Sequence, residues 1–135
     1  MAHPGTDLGY DVYAAETVAL IPGRVTLVGT GIAIEFEPAH GAIIKDRSSL
    51  ASKGIRTSAG VIDCGYRGEI RVAMTLDTNA PASRDDVKVE PYIVREGDKI
   101  AQLLPVKPLT MFQVEQSDVL TETKRGEAGF GSTGK

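Results

Sequence analysis

Residues 69–77 alternate without interruption, with Ile70, Val72, Met74 and Leu76 on one side and Glu69, Arg71, Ala73, Thr75 and Asp77 on the other. A period of two marks an extended strand with one face on a core and the other toward water. GIAIEF at 31–36 repeats the pattern, with Ile32, Ile34 and Phe36 sharing a face, and further strands are predicted over 24–28, 41–45, 87–94, 99–105 and 111–115. Glycine (15 residues) and proline (7 residues) fall between these runs often enough to keep each strand short. No apolar pattern of period 3.6 persists for three turns. A single helical turn is expected over 48–53, with serine hydroxyls able to cap its start and Gly54 able to end it. These features predict an all-β domain, a sandwich or jelly roll of short strands.

A chain of 135 residues can bury a core as one domain. The lone Cys64 excludes an internal disulfide, and MAHPGTDLGYD has neither a basic nor an apolar leader segment, so a cytoplasmic protein is expected. No apolar run approaches ~18 residues, which predicts no membrane span. A net charge of -3 with the two signs interspersed argues against a nucleic-acid binder but permits a small anion held by a few arginines. His3, His40 and Cys64 cannot make a zinc cage, so any metal is a hard ion held by oxygens.

Four internal stretches combine turn residues with side chains that a plain loop does not require. GYDVYA at 9–14 places Asp11 within a strand-like run. KDRSSL at 45–50 sets Arg47 beside Ser48, Ser49 and the free amides of a turn, the donors a phosphate needs, although helix capping explains the serines equally well. SAGVIDCGYRGE at 58–69 leads Val61 and Ile62 into Asp63, then brackets Tyr66 and Arg67 with glycines, which reads as a hairpin tip. An aspartate after two buried aliphatics is placed for partial desolvation, as a general base requires. EGDKIAQL at 96–103 turns into a strand whose Gln102 can point an amide outward. The ending RGEAGFGSTGK fits G-x-G-x-x-G and most of a G-x-x-x-x-G-K loop, but no helix follows for such a loop to open.

In order, LGYDVYA, DRSSLASKG, AGVIDCGYRGE, EGDKIAQL and RGEAGFGSTG resemble the five motifs of the trimeric dUTP diphosphatases (dUTPases) over most of the chain. The resemblance implies a jelly-roll or distorted β-barrel core over 1–123, a flexible arm over 124–135, and a homotrimer with its sites between subunits. It implies hydrolysis of dUTP to dUMP and pyrophosphate by attack of water on the α-phosphorus, which lowers dUTP and supplies dUMP for thymidylate synthesis. Asp63 would be the base. Gly60, Val61 and Ile62, with Thr57 and Arg71, would hold the uracil and deoxyribose, and Tyr66 would pack on the sugar where a ribose hydroxyl has no room. Arg47, Ser48, Ser49 and Gln102 would bind the phosphate chain. From the arm, Arg125, Gly131, Ser132 and Thr133 would reach the γ-phosphate end and Phe130 would stack on uracil. Mg²⁺ would be chelated mainly by the phosphates and reach Asp11 through water, which suits an ion that dehydrates reluctantly.

The chain departs from the family pattern at Thr57, where asparagine is common, and at Cys64-Gly65, which replaces the more usual acidic or serine pair. IDxGY with RSSLA leans toward the related dCTP deaminases, the alternative enzyme. Ala73 stands where that group carries a glutamate, and the deaminases lack the glycine-rich ending. A second alternative is a nucleotide-gated regulatory binding protein of the same fold.

Overall fold

The alternation at 69–77 is realised as a six-residue strand in the structure, a computed structural model that describes residues 7–77, 90–107, 116–119 and 121–122. In chain order the elements are β1 (Tyr10–Tyr13), β2 (Val18–Leu20), β3 (Val25–Gly29), β4 (Gly41–Lys45), α1 (Ser48–Ala51), β5 (Ile55–Ser58), β6 (Val61–Ile62), β7 (Arg71–Leu76), β8 (Tyr92–Val94) and β9 (Lys99–Val106). Strand β7 lies between β3 and β5, antiparallel to both. Its residues Val72, Met74 and Leu76 are at most 5% exposed, while Arg71, Ala73 and Thr75 stay on the outer face as the pattern predicts.

A four-stranded sheet ordered β1-β9-β4-β6 contributes Val12, Ala42, Ile44, Ala101 and Leu103 to the same apolar cluster. The β2-β8 pair adds Leu20 and Val94, and the turn α1 inserts Leu50. The architecture is all-β and resembles a jelly roll, with one core shared by the sheets.

Several local expectations are corrected. Residues 31–36 form no strand: Ile34 and Phe36 pack against the core, but the segment's only strand-like bond runs from the Ile70 amide to the Ile32 carbonyl. Alternation selects a buried face without supplying a neighbour for the backbone. Of 87–94 only β8 is a strand among the described residues, and 111–115 lies outside them. Arg47, not a serine, occupies the helix N-cap, and no side chain caps the turn. The hydroxyls of Ser48 and Ser49 are therefore left for another use. The end of the turn is as expected, with Gly54 in the left-handed region at φ 75°.

Residues 58–69 are also no hairpin. Strand β6 pairs with β4 in one sheet, whereas β7 pairs with β3 and β5 in the other, so residues 63–70 carry the chain across the core. Two glycines shape this region. A Cβ at Gly60 (φ 103°) would meet the Ile44 carbonyl oxygen at 2.8 Å, and one at Gly68 would meet the Tyr66 hydroxyl at 2.5 Å.

Candidate active site

Pairing across β1, β9 and β4 aligns Asp11, Gln102 and Lys45 in one row. The chain leaves β4 through Asp46 and Arg47 into α1, which brings Arg47, Ser48 and Ser49 beside that row. The result is a polar cleft of about 410 Å³ lined by Asp11, Arg47, Ser48, Ser49 and Gln102 together with residues 7–9. All five residues expected from the first, second and fourth motifs meet here.

Electrostatics orders this cleft. Arg47 Nε lies 3.4 Å from Asp11 Oδ1 and Lys99 Nζ 2.8 Å from Asp11 Oδ2. Arg47 Nη1 also donates to the Lys99 carbonyl at 3.2 Å. The Lys99 hydrogen bond, with both cationic charges and against the effect of burial, holds the Asp11 carboxyl below the ordinary carboxylate range. The same bond holds the Lys99 ammonium above its ordinary value. Gln102 Nε2 donates to the Asp46 carbonyl at 3.2 Å, which fixes the amide over the cleft. Beyond Arg47 and Ser49 a second cleft of about 390 Å³ continues past Lys53, Tyr92 and Lys99.

Asp46 anchors this assembly from behind. Its Oδ1 accepts both the backbone amide and the hydroxyl of Thr57, each at 2.6 Å. Thr57 thus faces Asp46 on the Arg47 side of the molecule and does not line the Asp63 cleft. Burial pushes the Asp46 carboxyl up, but the two Thr57 bonds outweigh it and the carboxyl sits below its ordinary value. A depressed carboxyl stabilises the fold fully above the unfolded carboxylate range, and that contribution is lost as pH falls through the folded value. Asp46→Ala is expected to destabilise the protein at neutral pH by about 1–3 kcal/mol. The deficit should narrow below about pH 4. Thermal melts at several pH values check this, and a deficit independent of pH would refute the assignment.

Asp63, Tyr66, Val61, Ile62 and Arg71 line a separate cleft of about 510 Å³, completed by Leu27, Glu69 and Ile70. Tyr66 donates its hydroxyl to the Glu69 carbonyl at 2.9 Å, and its amide closes a turn on the Asp63 carbonyl, so the ring has a set orientation. Glu69 accepts from the Gly31 and Thr30 amides and pairs with Arg71 Nε at 3.2 Å; the Gly31 bond first, then Arg71, draws its carboxyl down. The Asp63 carboxylate has no ion pair or side-chain hydrogen bond among the described residues. Its expected partial desolvation is not realised within one chain: Asp63 is exposed and Val61 is 74% exposed, because β6 is an edge strand.

The two clefts share no lining residue. Ile62 pairs with Ala42 and Gln102 with Lys45, so Asp63 and the Arg47 cleft sit at opposite ends of β4. The two ends of β4, Gly41 and Lys45, are four residue steps apart, about 13 Å. The expectations for Arg125, Phe130, Gly131, Ser132, Thr133 and the whole of 124–135 lie outside the described residues.

Lys99, Asp46 and Lys53 went unmarked in the sequence. Lys99 stands three residues before Gln102, a spacing that puts two strand residues on opposite faces. A bulge reverses this: Val12 pairs with Ala101 but Tyr13 with Lys99, skipping Ile100, so Lys99 emerges beside Asp11.

A family model described as dUTPase matches residues 2–134. The chain is 43% identical over 136 residues to the deoxyuridine 5'-triphosphate nucleotidohydrolase of Leifsonia xyli, covering 98% of this chain and 82% of the relative. It is 42% identical over 141 residues to the enzyme of the same name from Mycobacterium tuberculosis, covering 98% and 84%. Among solved structures it is similar to the dUTPase of Staphylococcus bacteriophage 80alpha with dUPNHPP, with TM-score 0.79, 27% identity, and 100% and 90% of the two chains covered. A mutant dUTPase from phage phi11 of S. aureus, described for its coordination of a structural Mg(II) ion, gives TM-score 0.71 at 28% identity over 90% of each chain.

Proposed function

The chain belongs to the dUTPase family, and from that membership we infer that it hydrolyses dUTP to dUMP and pyrophosphate. The observation that carries this reading in the molecule is the assembly of Asp11, Arg47, Ser48, Ser49 and Gln102 in one polar cleft, with Asp63, unpaired among the described residues, beside Tyr66 in another. Arg47 and the serine hydroxyls supply charge-assisted and neutral donors to a phosphate chain. Asp63 takes the proton of the water that attacks the α-phosphorus, a role open to a carboxylate with no competing partner among the described residues. Gly60, Val61 and Ile62 present backbone edges to the uracil, and the Tyr66 ring packs on the deoxyribose, with Arg71 nearby.

The donors of the Arg47 cleft fit a hard cation carried by its ligand. Asp7 and Asp11 are the carboxylates that line it, and among the described residues no group of three or more His, Cys, Asp or Glu could cage a metal. Asp11 would therefore meet Mg²⁺ through water, and Mg²⁺ would neutralise charge on the phosphates. Thr57 is committed to Asp46, so its contribution to the base is indirect. Residues 124–135 act as the arm that closes over the triphosphate, with Arg125, Gly131, Ser132 and Thr133 at the γ-phosphate end and Phe130 on uracil.

A homotrimer completes the site. About 13 Å separates the half-sites along β4, too far for one carboxylate to serve a phosphorus held by Arg47 of its own chain. The outer face of the β3-β7-β5 sheet exposes Val25 and Leu27, and Leu27 and Val61 line the Asp63 cleft, an apolar rim suited to a neighbouring subunit. A cytoplasmic location follows from the nucleotide substrate and the single cysteine; no helix among the described residues is long and apolar enough to cross a membrane.

The deaminase alternative is not favoured, since the relatives are nucleotidohydrolases and Ala73 carries no titratable group. The test is pyrophosphate release with Mg²⁺ from dUTP, dCTP, dTTP and UTP: dUTP should be much the fastest, and ammonia release from dCTP would overturn the reading. Truncation after Lys124 should leave a folded protein with little activity, because closure excludes water from the charged contacts. Full activity without the arm would remove its assigned role.

A further inference from the structure

We propose that Lys99 is a positioning residue that competes with the magnesium-bound water for the carboxylate of Asp11. The inference rests on the magnesium reading above and adds Lys99 to its Asp11 carboxylate. Both Asp11 oxygens are engaged by cations, Oδ1 by Arg47 at 3.4 Å and Oδ2 by Lys99 at 2.8 Å. The bulge at Ile100 is what turns Lys99 to this face, and its ammonium lies 5.8 Å from the centre of the Tyr13 ring, so the side chain is held across β1.

Arg47 and Lys99 together outweigh the charge of Asp11 by one, and Asp7 also lines the cleft. A phosphate chain entering without magnesium meets an Asp11 carboxylate that Arg47 and Lys99 already neutralise, so it is repelled less. A magnesium ion carried by the nucleotide would reach Asp11 through water, and of the two cations on Asp11 the closer, Lys99, stands in the way. Lys99 is the exchangeable partner, because it is a flexible point charge in an open part of the cleft, whereas Arg47 is also tied to the Lys99 carbonyl. Displaced from Asp11, the ammonium remains within the continuous cleft that Arg47, Ser49 and Lys53 line, where a phosphate oxygen can take it up.

The measurable quantity is the factor by which magnesium raises affinity for a non-hydrolysable α,β-imido analogue of dUTP, obtained by calorimetry on the full chain with and without magnesium chloride. Removing the competitor should weaken binding more without magnesium than with it. Lys99→Met is therefore expected to raise that factor by about 5-fold or more, and Lys99→Arg to return it toward wild type. A Lys99 that only supports the fold would weaken both affinities alike, so an unchanged factor in Lys99→Met, or a lower one, overturns the proposal. Asp11→Asn separates the two readings. If it leaves the factor unchanged, the magnesium reading fails; if it collapses the factor while Lys99→Met does not raise it, the proposal about Lys99 alone fails.

Discussion

Asp63→Asn is expected to bind nucleotide as the parent protein does and to lose turnover by about 10²–10⁴-fold. Asparagine matches aspartate in shape and keeps one carbonyl oxygen, so it can still orient a water molecule, but it cannot accept the proton. The substitution should spare the fold, because the Asp63 carboxylate holds nothing else among the described residues and its backbone turn to Tyr66 survives. Pyrophosphate release gives kcat, and calorimetry with the imido analogue gives affinity. A variant with the parent's kcat would end the assignment of Asp63 as base, and one with unchanged kcat/KM would show that the Asp63 cleft is not the reacting one.

Neither Asp63→Asn nor Arg47→Ala protein should turn over dUTP appreciably, yet subunits exchanged between the two should regain activity. Each proposed site takes Asp63 from one subunit and Arg47 from another. In an equal mixture each half is intact with even odds, so about a quarter of the sites are complete. If both halves came from one chain, every site in the mixture would keep a defect. Recovery near that fraction is expected after exchange is verified by mass, and no recovery would place the whole site within one subunit. The geometric ground is the register of the four-stranded sheet, in which Ala42 pairs with Ile62 and Lys45 with Gln102, placing the two clefts at opposite ends of β4.

Much of the fold was legible because a half-buried strand writes its orientation into every second residue. Ile70, Val72, Met74 and Leu76 were read as one buried face and are all buried. The pattern failed at 31–36, where it was right about the faces of Ile34 and Phe36 and wrong about a strand. The polar residues of the Arg47 cleft were legible as a group of donors because two hydroxyls and an arginine stand together at a turn, with helix capping as their competing use. The serines proved free of the capping that competed for them.

What the sequence determined by itself was which residues face inward and which short stretches carry donors, since both are local and repeat along the chain. Which strands meet was decided only in three dimensions, because pairing is long-range and a period of two is indifferent to its partner. Hence β6 and β7 parted into different sheets, Asp63 came to stand exposed at a sheet edge, and Thr57 turned to Asp46 instead of the Asp63 cleft. The bulge at Ile100 is the sharpest instance. It reverses the face that spacing assigns to Lys99 and places that ammonium on Asp11, a contact that no alternation pattern can encode.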